Sequence, residues 1–524
     1  ALCNNKGENM SSWDMGYHSD SQYIYQYFSI FNPLWLKFVL TANGLNFPDM
    51  KKGYACELGF GQGISINMHA LASNVQWYGN DFNPSQVNFA RDLASIGHAN
   101  VHLYDDSFEQ FSQRTDLPDF DLIVIHGIWS WVSPENQQYL VDFVNKHLKV
   151  GGVLYISYNI APGFTPFEPM RHLLKLYIDQ MMPKMLSPAD QVHDLHDFVQ
   201  KLVDTKPLSL VNYPTLPANI NHFFSQDPNY LMAEYFNMAW DITHFSTLAK
   251  KLESIKLQFA CSAFGHDMID ILNMDPEQVA FITPLAGTQI FEDTRDFMIY
   301  QQFRADIFVK GTNALTQLQM EKKFRALTVV RTTPLNRFKY KIKRRFKDED
   351  IELLPEIYEP VMNFFKDHLA HSFGDVIDKL TGKEHLGHVL TDQEVIDALR
   401  TLTAIGELIP AVPNSELAND VVKRCQKFNR DFILTQGDSP SHFLACPVTG
   451  GAIKISDPEV VLLTAYLMRP SLKKDELKQL LCSGFNIFDP NLDEDHKKAV
   501  AEADRIVTEF VNDVLPCYKA LKMF

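Results

Sequence analysis

Short apolar runs alternate with amphipathic stretches along the first third of the chain. YACEL (54–58), VQWYGN (75–80), VHLY (101–104), FDLIVIHG (120–127) and GGVLYISYN (151–159) have the length and hydrophobicity of buried strands. Between them lie helix-period segments with start signals: Asn83 before Pro84, and Ser133 before Pro134, each place an N-cap ahead of proline at the first helical position. The helix after Ser133 buries Leu140, Val144 and Leu148 on one face and is closed by Gly151–Gly152. Strands joined by short crossover helices predict an α/β fold, a parallel doubly wound Rossmann-like sheet that binds ligands at the carboxyl ends of its strands.

Two later apolar runs, QFACSAF (258–264) and ADIFVKG (305–311), are candidates for further strands of that sheet. Four segments are therefore expected. Residues 1–185 form the core with an N-terminal aromatic segment, 186–250 a helical insertion acting as a lid, and 251–314 the remaining strands. Residues 315–524 form a C-terminal α+β domain. That last segment opens with the basic run Arg337, Lys339, Lys341, Lys343, Arg344, Arg345 and Lys347. It continues into DQEVIDALRTLTAIG and ELIPAV, a helix and strand that look like the end of a winged helix. A basic run is either a phosphate site or a solvated face.

The length of 524 residues suits two or three packed domains, and no uninterrupted apolar run could span a bilayer. The opening stretch ALCNNKGENMSSWD lacks the pattern of an export signal, so a soluble cytoplasmic protein is expected. Seven cysteines, odd in number and never spaced CxxC, give neither a disulfide framework nor a zinc site. The net charge of −16 opposes generic nucleic-acid binding and suits a cationic partner.

The first strand runs into GFGQG, whose Gly59, Gly61 and Gly63 let backbone approach a ligand ahead of a helix N-terminus. A dinucleotide fingerprint needs Gly or Ala where this chain has Ile64, which argues against NAD. Glu57 closes the first strand, and Asp81 closes the second 24 residues later, where a carboxylate can accept both hydroxyls of a ribose. Asp105, Asp106, Ser107 and Phe108 follow the third strand. Taken singly, each acid reads equally as a cap or turn residue.

The order ExGxGxG, Asp81, Asp106 resembles the motifs of class I S-adenosylmethionine-dependent methyltransferases. WDMGYHSDSQYIYQYF (13–28), HGIWSWVSPEN (126–136), YISYNIAPGF (155–164) and YLMAEYFNMAW (230–240) narrow the resemblance. They are similar to bacterial members with a methyltransferase regulatory domain, among them rickettsial lysine methyltransferases acting on an outer-membrane protein. Phe164 stands where such relatives often carry Trp.

The resemblance implies S-adenosylmethionine as cofactor, S-adenosylhomocysteine as product and Glu57 as partner of the cofactor's amino group. The implied cofactor shell is Tyr27, Glu57, Gly59, Gly61, Gly63, Asp81, Phe82, Asn83, Asp106, Ser107, Phe108, His126 and Gly127. The acceptor would be lysine of a protein, such as an outer-membrane or surface protein before export; a small molecule or surface-glycan precursor, and a cofactor-sensing pseudoenzyme or partner-binding protein, are the alternatives. Only a neutral amine donates its lone pair, so a lysine of pKa about 10.4 needs a desolvated aromatic channel. Tyr23, Tyr25, Trp129, Trp131 and Asn159 are its candidates, with Asp14, Tyr17 and Tyr158 to orient the amine. The tyrosines read equally as a packing face, and His126 as a turn or cofactor-pocket residue rather than a base. In-line methyl transfer requires no metal.

Overall fold

The five apolar runs form strands β1 (Tyr54–Leu58), β2 (Gln76–Asn80), β3 (Val101–Tyr104), β4 (Phe120–Ile125) and β5 (Leu148–Asn159). With β6 (Leu257–Ser262) and β7 (Phe303–Lys310) they make one seven-stranded sheet in the order β3-β2-β1-β4-β5-β7-β6. β1 to β5 pair in parallel, while β7 is antiparallel to both neighbours. Strand order reverses between β1 and β4, which opens a crevice at their carboxyl ends. These features come from a computed structural model. It describes residues 25–183, 186–213, 216–226, 228, 231, 239–311, 314–345, 347–435, 442–484 and 494–524.

Alternation along the strands serves two cores, because successive side chains point to opposite faces. Val153 and Tyr155 join Phe31, Leu36 and Trp77 on one face, whereas Leu154, Ile156 and Tyr158 join Leu140 and Val144 on the other. Helices α1 (Pro33–Ala42), α2 (Ile64–Leu71), α3 (Pro84–Gly97), α4 (Phe108–Gln113) and α5 (Pro134–His147) cover these faces. The expected caps are present: Asn83 accepts from Ser85 N at 3.0 Å and Ser133 from Asn136 N at 3.3 Å.

Beyond β5, helices Glu168–Gln180, Pro188–Asp204, Leu208–Asn212 and Leu216–Phe224 build a separate apolar cluster around Leu174, Leu195 and Ile220. Trp131 ties it to the sheet by stacking on Trp240, with ring centres 6.0 Å apart. The C-terminal half begins with strand Thr328–Val330 between His371–Ser372 and Ile409–Pro410. Helices Pro355–Phe364, Phe373–Leu380 and Asp392–Ala404 pack with it. A long helix, Asn419–Thr435, and a hairpin, His442–Cys446 with Gly451–Ile455, follow.

The basic run is largely neutralised within the fold. Arg337 pairs with Glu509 at 2.7 Å, Lys341 with Glu352 at 2.8 Å, Lys343 with Asp348 at 3.0 Å and Arg344 with Asp275 at 3.0 Å. Arg345 meets Asp267 at 3.0 Å and Lys347 meets Asp275 at 2.6 Å. Among the described residues, no helix is long and apolar enough to cross a membrane.

Candidate active site

Gly59, Gly61 and Gly63 all adopt the left-handed region, with φ of 71°, 59° and 68°. The turn folds back on β2, where Asn80 O accepts from Gly59 N at 2.9 Å and Phe60 N at 3.2 Å. A β-carbon on Gly59 would lie 2.5 Å from Ile128 Cδ1, and Phe108 closes the same space from the third strand's loop. Gly63 caps α2, all eight residues of which are buried. Bare backbone is thus presented at the mouth of the crevice.

Glu57 sits beneath this turn near the end of β1. Its carboxyl is buried and its Oε2 has no hydrogen-bond partner. Burial, reinforced by the negative charge of Asp81, pushes its pKa well above the usual carboxylate range. A buried acid without a partner is costly unless a cation arrives, so the site fits a ligand with an ammonium group.

Asp81 lies at the tip of β2. Its Oδ2 accepts from Gly61 N at 2.9 Å and its Oδ1 from Asn83 N at 3.0 Å. Burial outweighs those two bonds and raises its carboxyl to about 7. Phe82 and Asn83 form the turn behind it, and Asn83 opens α3. Asp106 forms an ion pair with Arg114, while its carbonyl accepts from Asn80 Nδ2 at 3.0 Å. Ser107 caps α4 with Gln110 in a reciprocal box.

After β4, Gly127 has φ of 65° and donates its N–H to Ser157 Oγ at 2.8 Å. His126 Nδ1 lies 2.9 Å from Tyr155 Oη, and the ring packs 4.2 Å from that of Phe28. Burial pushes its pKa down to about 3, which keeps the ring neutral. Trp129 lies under Lys251 at 5.0 Å, and Asn159 ends β5 with a buried Nδ2 that lacks a partner.

Other candidates are placed differently. Tyr158 is buried on the α5 side and donates to Asp306 Oδ2 at 2.5 Å, inside a network where Arg304 also pairs with Asp296 and Glu292. That partner is intramolecular, so the phenol is already engaged within the fold. Tyr27 Oη is 3.1 Å from His69 Nε2, against α2 rather than the glycine turn, and Tyr25 packs edge-on to Phe89. Asp14, Tyr17 and Tyr23 fall outside the described residues, as does most of 230–240. Ile128, Arg114 and Ser157 join the site unannounced by the sequence. Ile128 and Ser157 had a pointer, lying within HGIWSWVSPEN and YISYNIAPGF, and Arg114 had none.

Comparison with known proteins agrees with this geometry. Residues 55–152 match the family described as a methyltransferase domain, and 227–310 one described as a predicted methyltransferase regulatory domain. The uncharacterized protein sll1526 of Synechocystis sp. is 33% identical over 459 residues, 87% of this chain and 88% of that protein. RP789 of Rickettsia prowazekii is 24% identical over 286 residues, 53% of this chain and 50% of that protein. Among solved structures, PKMT2 from Rickettsia typhi in complex with AdoHcy superposes with a TM-score of 0.67 at 17% identity. The match covers 96% of this chain and 99% of that one, so the fold is shared from end to end.

Proposed function

Because the chain belongs to the class I S-adenosylmethionine-dependent methyltransferases that carry a methyltransferase regulatory domain, we propose that it methylates lysine side chains of a protein. The observation that carries the methyltransferase half is the unpartnered Glu57 carboxyl beneath three left-handed glycines. For the acceptor, support comes from the whole-chain likeness to PKMT2 and from the resemblance to rickettsial lysine methyltransferases. The net charge of −16 also favours a cationic acceptor.

When bound, S-adenosylmethionine supplies a methyl group on a positively charged sulfur. Glu57 would receive its amino group, the Gly59–Gly63 turn would admit its methionine part, and Asp81 would accept from its ribose hydroxyls. Phe108 and Asp106 would border the adenine. In this reading the chain's remaining task is to align the acceptor and keep water out. Burial favours the neutral form of the lysine amine, and Trp129, Trp131 and Asn159 are the groups we assign to its channel. We take the 186–250 insertion as the lid over that channel, the enzyme as cytoplasmic, and the unit around Thr328–Val330 as winged-helix-like.

Incubation with methyl-labelled S-adenosylmethionine and lysate of the source cells tests the reading. Base-stable label in a discrete protein band, mapped to lysine, is the expected result; label confined to small metabolites or glycan would sink it.

A further inference from the structure

The helix that follows the cofactor turn has its far end held by the C-terminal half. Arg424, on helix Asn419–Thr435, donates from Nε to Leu71 O at 3.0 Å and from Nη2 to Ser73 O at 2.7 Å and Ala70 O at 3.5 Å. These three carbonyls terminate α2 and its following turn, where no intrahelical N–H can reach them. The Arg424 side chain is only 17% exposed. A cation there also offsets the negative end of the helix dipole.

Other contacts make α2 a shared element rather than a neighbour. Ile64, Met68 and Leu71 count among the core of the C-terminal half, with Cys425, Phe428 and Phe443. Lys427, one turn after Arg424, donates to Ile96 O at 3.2 Å near the end of α3. At the other end of α2, Phe28 N donates to Ser65 Oγ at 2.9 Å, and Asn67 Nδ2 bridges Gly63 O and Ala90 O at 2.8 Å and 3.0 Å. An eight-residue helix about 12 Å long moves as a rod. Fixing Ala70 to Ser73 therefore fixes Gly63 and the turn before it.

We propose that Arg424 is a positioning residue for the cofactor, through which the C-terminal half sets the placement of the Gly59–Gly63 turn and hence cofactor affinity. The Asp420 side chain, 3.9 Å from Nη1, leaves the Nε and Nη2 edge to α2. The proposal rests on cofactor binding by that turn.

The test is calorimetric binding of S-adenosylhomocysteine to the full chain and to Arg424→Gln, Arg424→Lys and Leu399→Ala. Leu399 is fully buried on helix Asp392–Ala404, so its truncation loosens the C-terminal half without touching the α2 carbonyls. Expected are affinity losses of about tenfold for Gln and about threefold for Lys, which keeps the charge but not the fork. Leu399→Ala should lower the melting temperature and leave affinity within about twofold of the parent. Parent affinity in both Arg424 variants overturns the proposal, as does an equal loss in Leu399→Ala. If Arg424→Gln does not fold, parent affinity in Arg424→Lys alone overturns it. Absence of binding by the parent would instead refute the cofactor reading of the turn.

Discussion

Replacing Gly63 by Ala tests whether the glycine turn is held by sterics that the sequence encodes. At φ of 68° an L side chain pays a left-handed penalty of about 1–2 kcal/mol. The new β-carbon would also lie 2.6 Å from Ala90 Cβ, where ordinary contact is 3.4–4 Å. Ala90 is fully buried on α3 and has no rotamer to move, so the helices must part by roughly 1 Å, an overpacking of about 1–3 kcal/mol. Together these predict a loss of about 2–5 kcal/mol, or a melting temperature lower by roughly 5–15 °C for a domain of this size. Displacing the turn should also weaken S-adenosylhomocysteine binding by more than about tenfold. Differential scanning calorimetry and ligand titration measure both. The double variant Gly63→Ala with Ala90→Gly removes the contact but not the backbone penalty, so it should show a favourable coupling of about 1–3 kcal/mol. A single variant that melts with the parent, or a double variant with no coupling, would refute the steric reasoning.

Glu57→Gln should stabilise the ligand-free protein while abolishing tight S-adenosylhomocysteine binding. Because the native carboxyl titrates above its unfolded value, the folded state holds a proton that the unfolded chain releases above about pH 4, so stability falls as pH rises through that window. The melting-temperature gap between variant and parent must therefore widen as pH rises above about 5, and a gap that narrows contradicts the assignment. Arg304→Met strands Asp306, Asp296 and Glu292 in a buried site and should cost about 3–5 kcal/mol in urea unfolding, with a loss under about 1 kcal/mol contradicting the network. Tyr158→Phe removes a hydrogen bond to a carboxylate worth about 1.5–3 kcal/mol but should leave kcat within about threefold; a hundredfold fall would return Tyr158 to the acceptor site. His126 and His69, both pushed by burial down to about 3, should show no imidazole titration by NMR between about pH 5 and 8.

The sheet was legible because its central strands are buried on both faces and its helices start on Asn83–Pro84 and Ser133–Pro134, signals that act within a few residues. β7 was legible for the same reason, and the edge strand β6 by its apolar run, although several short helices separate them. The cofactor crevice was legible where chemistry forces a residue type: glycine at three positive φ values, and an acid at each of two strand tips. Partners drawn from afar were not. Nothing near Tyr158 in the sequence announces Asp306, 148 positions away, and nothing near Asp106 marks Arg114 as its ion partner. Tyr27 shares its stretch with the aromatic candidates, yet tertiary packing sends its hydroxyl to His69. The basic run from Arg337 to Lys347 has the composition of a phosphate site; the sequence places Asp348 and Glu352 just after it, and only the fold supplies Glu509, Asp275 and Asp267 opposite it.

The same contrast separates the two buried acidic regions of the core. Around Arg304, one guanidinium donates to each of three carboxylates and a phenol donates to one of them, so every acid there has a cationic donor within the fold. Around Glu57, a buried acid feels the like charge of Asp81, and among the described residues no cation pairs with it. Stability alone would favour Gln or an apolar residue at position 57, since an unpaired buried carboxyl costs more than it returns. Its presence is explained once a ligand supplies the positive group: the energy withheld from the empty fold is released on binding, as a charge-assisted contact in a site already shaped by Asp81 and the glycine turn. The Arg304 network therefore reads as architecture, and Glu57 as the residue through which the fold becomes selective for a cationic cofactor.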